Sequence, residues 1–71
     1  MKIIILGSVK SARMFMKDYN IEGRDVYNIT DVKHSCGLRP RPNTIVIDLG
    51  DSDVEVFARM SQNGFKFLRP L

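Results

Sequence analysis

Lys2-Ile-Ile-Ile-Leu6 followed by Gly7-Ser8, and Thr44-Ile-Val-Ile-Asp-Leu49 followed by Gly50-Asp-Ser52, are the two stretches that decide the fold, and they share one grammar. A β-branched, aliphatic run without polar alternation suits a strand covered on both faces, and strands of that kind belong to parallel sheets. A glycine closes each run with a tight turn, and the polar residue after it is placed to start a helix. Two strand-turn-helix units predict an α/β protein whose helix-starting loops gather at the carboxyl edge of a sheet, the edge at which such proteins bind ligands.

Working outward, Ser8 is the expected N-cap of a first helix that runs to about Tyr19 and is stopped by Asn20. Val9, Ala12, Phe15, Met16 and Tyr19 make its sheet-facing side. Gly23-Arg24-Asp25 reads as a turn, and the shorter, more polar Val26 to Ile29 as an edge strand. Thr30 is placed to cap a short helical turn over Asp31 to Cys36, with Gly37 as its stop. Leu38-Arg-Pro-Arg-Pro-Asn43 is extended, because each proline fixes its own φ and drives its predecessor out of the helical region. Ser52-Asp-Val-Glu55 reads as a capping box for a helix to Gln62, ended by Asn63-Gly64, with Glu55 and Arg59 spaced to pair. On that helix Val54, Phe57 and Ala58 are assigned to the sheet, and Val56 and Met60 to a second apolar surface. Phe65 to Leu68 alternates as a half-covered strand that Pro70 ends. Right-handed crossovers turn this order into a minimal doubly wound parallel sheet of four strands in the order 2-1-3-4, with two main helices and one short helix.

A chain of 71 residues predicts one small domain, and such a domain buries only roughly 60% of the surface its unfolded chain exposes. With 44% hydrophobic and 27% charged residues, the composition is that of a folded protein rather than a disordered tail. One cysteine allows no internal disulfide, so association with a second copy or a protein partner is the expected source of further stabilisation. Ile3 to Leu6 is too short for a signal-peptide core or a membrane span, which predicts a cytoplasmic protein with no membrane partner. The net charge of +3 mildly favours acidic partners without singling out nucleic acid.

The stretch from Thr44 to Gly64 resembles strand 3 and helix 3 of response-regulator receiver domains, and the predicted architecture resembles a flavodoxin-like fold cut short. The resemblance implies that Asp48 stands where that family carries its phosphoryl-accepting aspartate. The family also carries an acidic pair after strand 1 that holds Mg²⁺; here Gly7-Ser8-Val9-Lys10 occupies that place. A shared architecture does not assign a function.

Several groups carry candidate chemistry. Gly7, Ser8, Lys10 and Ser11 surround a helix start, where free N–H groups attract a phosphate, and Asp48 would lie along the same edge. The spacing matches neither a Walker loop nor a dinucleotide fingerprint. Asp31, Asp48, Asp51 and Asp53 would bind Mg²⁺ if two or more converged; otherwise they favour helix starts or bond nearby backbone. His34 and Cys36 are two apart, do not face each other on a helix and have no third group to orient them, so they read as a loop histidine and a packing thiol. Lys10, Arg13, Met14 and Lys17 form either a docking stripe for an acidic partner or a solvated face, and with Val56 and Met60 they make up the candidate interaction surface. Nucleic-acid binding would need Lys33, Arg39, Arg41 and the helix 1 cations to converge. The expected function is that of a small non-enzymatic interaction or accessory protein, such as a viral or inhibitory factor, that self-associates, binds a protein partner and needs no cofactor. A phosphate- or nucleotide-binding domain and a nucleic-acid-binding protein are the alternatives.

Overall fold

The computed structural model describes residues 1–69. Strand β1 (Lys2–Leu6) leads through helix α1 (Val9–Asp18) and a 3-10 turn (Gly23–Asp25) to β2 (Val26–Ile29). A second 3-10 turn (Val32–Ser35) and an extended connection lead to β3 (Thr44–Asp48), and helix α2 (Val54–Gln62) leads to β4 (Phe67–Leu68). The four strands form one all-parallel sheet in the order β2-β1-β3-β4. Pro70, read as the end of the last strand, lies outside the described residues.

Register decides which side chains share a face. Tyr27, Ile4, Val46 and Phe67 stand in one row across the sheet, and Asn28, Ile5, Ile47 and Leu68 in the next. Successive residues of a strand point to opposite faces, so the first row belongs with Leu6 and Ile29 to the α2 side. There Ile4, Leu6, Ile29, Val46, Val56, Met60 and Phe65 form the core, with Val32, Leu38 and Phe67 packed against it. The other face carries α1, whose Ala12 is buried and whose Phe15 and Met16 are half-buried.

Both helices end in the same motif. In α2 the Gly64 N–H donates to the Ser61 carbonyl and the Phe65 N–H to the Met60 carbonyl, with Gly64 at φ 93°. In α1 the Asn20 N–H donates to Lys17 and the Ile21 N–H to Met16, with Asn20 at φ 54°. These are Schellman caps with a left-handed residue just past the helix. The motif also shortens β4. Phe65, expected to begin that strand, uses its amide to close α2 and buries its ring in the core, so pairing starts at Phe67.

The phase of α2 differs from expectation. Val56 and Met60, assigned to an interaction surface, are 1% and 0% exposed, while Val54 is 80% exposed and Ala58 is also exposed. The apolar arc of this helix is wide, and the second 3-10 turn packs beside α2 and rotates its buried stripe towards Val32 and Leu38. The cap shifts by one residue as well. Asp53 rather than Ser52 is the N-cap, its Oδ1 accepting from the Glu55 N–H at 3.2 Å. A carboxylate is the stronger acceptor at the positive end of a helix. For the same reason Asp31, not Thr30, caps the second 3-10 turn, accepting from the Lys33 N–H at 3.1 Å.

The two faces of the sheet are unequally covered. Outer strands of a four-stranded sheet lie about 14 Å apart at a spacing of about 4.8 Å, and a helix with its side chains is about 10 Å across. The α2 side has the second 3-10 turn next to the helix. Among the described residues, the other side has α1 as its one helix, with the first 3-10 turn beside Met16 at the β2 end.

Candidate functional site

The two matched loops, Gly7-Ser8 and Gly50-Asp51-Ser52, follow adjacent strands β1 and β3 and meet at the carboxyl edge. Ser8 caps α1, its Oγ accepting from the Ser11 N–H at 3.1 Å. The Ser8 Oγ donates to Asp51 Oδ2 at 3.0 Å and the Ser11 Oγ donates to the same oxygen at 2.5 Å. The Ser8 N–H donates to Asp51 Oδ1 at 3.4 Å. The helix start read as a phosphate cradle thus receives an anion supplied by the chain itself. The Ser11 hydroxyl, more than the Ser8 groups, holds the Asp51 carboxyl below the usual carboxylate range, while partial desolvation opposes them. Position 7 is fitted to this contact, because a Cβ there would stand 2.6 Å from Asp51 Oδ1 and 3.2 Å from the Leu49 Cβ. Asn28 braces the same turn from β2, its Nδ2 donating to the Ile5 and Gly7 carbonyls at 3.0 and 3.1 Å.

Asp48, matched to the phosphoryl-accepting position, pairs in register with Leu6 and therefore faces the α2 side. It is 5% exposed. Its Oδ1 accepts from the Gly50 N–H at 2.9 Å, and its Oδ2 lies 3.3 Å from Arg69 Nε. The Arg69 guanidinium also stands 5.9 Å from the centre of the Phe57 ring, which stacks on Phe67 at 4.6 Å. These residues, with Leu49, Gly50, Ser52 and Val54, line an open cleft of about 370 Å³. The carboxylate in its wall is fully engaged by a backbone amide and a guanidinium. Arg69 was not singled out in the sequence, and the signal available was a cation immediately after the strand next to Asp48.

The structure brings Gly7, Ser8 and Ser11 together around Asp51 and leaves Asp48 on the other side of the sheet. Lys10 is exposed on α1, as are Arg13, Met14 and Lys17. Among the described residues, no group of three or more His, Cys, Asp or Glu side chains is placed to hold a metal ion. Lys33 pairs with Asp31 at 4.0 Å just beyond β2, whereas Arg39 and Arg41 lie in the connection that returns to the start of β3, so these three do not converge. His34 and Cys36 are exposed on the second 3-10 turn, the thiol donating to the Val32 carbonyl at 3.7 Å. Ser35, between them, is fully buried; its Oγ donates to the Val32 carbonyl at 2.5 Å and its carbonyl accepts from Asn63 Nδ2 at 2.8 Å. Nothing in the local sequence marks Ser35 as core, because its burial follows from the distant C-cap of α2.

On the α1 side, an apolar groove of about 190 Å³ runs between the helix and the β4 edge, lined by Phe15, Tyr19, Ile47, Leu68 and Arg69. Phe15 and Tyr19 are in ring contact at 4.6 Å. Tyr19 and Leu68 are each 58% exposed. Comparison with known proteins finds no family model, no curated protein and no solved structure that matches this chain.

Proposed function

We propose that this protein is a non-enzymatic interaction module that seats an apolar helical segment of a partner protein alongside α1. The carrying observation is the groove of Phe15, Tyr19, Ile47 and Leu68 on a sheet face with only one helix over it. A second helix laid beside α1 would bury those side chains against β3 and β4, which is how sheets of this class cover their faces. A second copy is a poor occupant. The outward side of α1 carries Lys10, Arg13 and Lys17 around Met14, and exposed α2 residues include Glu55, Arg59 and Gln62. With Val56 and Met60 in the core, self-association through α2 has lost its apolar stripe. No helix among the described residues is long and apolar enough to cross a membrane, and a cytoplasmic protein partner fits this reading.

Affinity capture from a cell lysate with wild type, Tyr19→Asp, Leu68→Asp and Val54→Asp separates this surface from others. All three positions are exposed, so the substitutions leave the fold intact. A partner retained by wild type and Val54→Asp but lost from the other two supports the groove. An identical bound set for all four proteins, or an empty one, sinks the proposal.

The phosphate-binding alternative is weaker, because Asp51 already takes the donors that a phosphate would need.

A further inference from the structure

Charge is unevenly placed on the part of the sheet made by β1, β3 and β4, while Glu22 and Asp25 stand at the amino end of the neighbouring β2. At and just beyond the carboxyl ends of β2 and β3 lie Asp31, Asp48, Asp51, Asp53 and Glu55. At the amino ends of β1, β3 and β4 lie Lys2, Arg39, Arg41 and Lys66, and the segments entering those three strands contain no acidic residue. The three strand starts span about 10 Å at ordinary sheet spacing.

The cations are held at this edge by structure as well as sequence. The Lys2 N–H donates to the Asn43 carbonyl at 2.8 Å, tying the end of the Arg39–Asn43 connection to β1. Pro40 lies beside Gly64, its Cγ 3.7 Å from where a Cβ would stand, tying the same connection to the turn before β4. Two prolines stiffen the segment between the arginines. All four cations are exposed, and the ion pairs of the described residues involve Arg24, Lys33 and Arg69 instead.

We infer that this amino edge is a sequence-independent binding surface for the phosphate backbone of a nucleic acid, independent of the apolar groove. The edge is largely polar as well as basic: Asn43 and Thr44 follow Arg41, Asn63 and Gly64 precede Lys66, and the exposed apolar side chains are Met1 and the two prolines of the connection. An interface with an acidic protein would have an apolar, aromatic-rich centre, whereas phosphate-backbone interfaces are polar, wet and strongly positive. The surface also differs from the cation set read from sequence, since Lys33 drops out and Lys2 and Lys66 join Arg39 and Arg41.

Fluorescence anisotropy with labelled duplexes of two unrelated sequences tests this between 50 and 200 mM salt, ranges over which phosphate contacts change affinity steeply. The expected result is equal binding to both duplexes, with log K against log[salt] falling at a slope of about −3.6 if all four cations engage phosphates. Arg39→Glu/Arg41→Glu should weaken binding at least about tenfold and flatten the slope by about 2. The charge-matched control Lys10→Glu/Arg13→Glu, on the outer side of α1, should retain most of the affinity. Should the first double variant fold poorly, Arg39→Gln/Arg41→Gln removes the contacts without reversing charge. Absence of binding at 50 mM salt, or equal loss in both charge-reversal variants, would overturn the inference. Competition by poly-glutamate as effective as that by unlabelled duplex would overturn it too, in favour of an acidic polypeptide.

Discussion

Asp51 ties the loop after β3 to the start of α1, and it does so as an exposed carboxylate whose partners are hydroxyls and one amide. Because those donors favour the ionised form, its pKa lies lower in the folded chain than in the unfolded one. A depressed carboxyl contributes stability that is present above the unfolded value, near pH 4, and lost as pH falls through the folded value. Asp51→Asn removes that component. The difference in thermal midpoint between variant and wild type should be largest above about pH 4 and close as pH falls below the depressed folded value. Parallel midpoint curves across that range would show that the contact does not form in solution. Half of this site was legible in the sequence: a glycine turn, Ser8 as cap and Ser11 one turn on follow from local rules. The other half was not, because the partner lies 40 residues away from Ser11, and only the β1–β3 pairing brings it near. Asp51 was read as a helix-start residue or a metal ligand, and no spacing rule reveals which anion fills a helix start.

At the scale of elements, strand positions and order follow closely from apolar runs and crossover handedness, and β1 and β2 keep their expected bounds. Helix stops were equally readable, since Asn20 and Asn63-Gly64 supply residues that tolerate left-handed backbone. Gly64→Ala tests this directly. No atom crowds the added Cβ closer than Pro40 Cγ at 3.7 Å, so the cost is conformational, about 1 kcal/mol. Asn20→Gly should change stability by no more than a few tenths of a kcal/mol, because glycine accepts the same backbone. Urea unfolding of both variants measures the contrast, and equal midpoints would mean that the α2 cap contributes nothing. What could not be read was the phase of α2. Five apolar residues at 54, 56, 57, 58 and 60 cover too wide an arc for periodicity to choose a buried stripe. Packing against the second 3-10 turn chose Val56 and Met60.

For the molecule as a whole, the core is small and each buried aliphatic matters. Ile5, fully buried in the central strand under α1, has neighbours on both sides in the sheet. Truncation at such a site costs about 2–5 kcal/mol, against the 3–5 kcal/mol that a core of this size rarely exceeds. Ile5→Ala should therefore be largely unfolded near 37 °C by circular dichroism, and a variant with a wild-type midpoint would contradict the assigned core. The parallel topology has a further consequence during synthesis. β1, an apolar strand with a neighbour on each side, is made before both of them, and β3 is complete only at Asp48. At about 5–20 residues per second, β1 waits roughly 2–8 s for its second partner. For those seconds at least one edge of the Ile-Ile-Ile-Leu segment is unpaired in the nascent chain, with the composition that favours strand-to-strand aggregation, and its safe passage depends on translation speed and on chaperones at the tunnel exit.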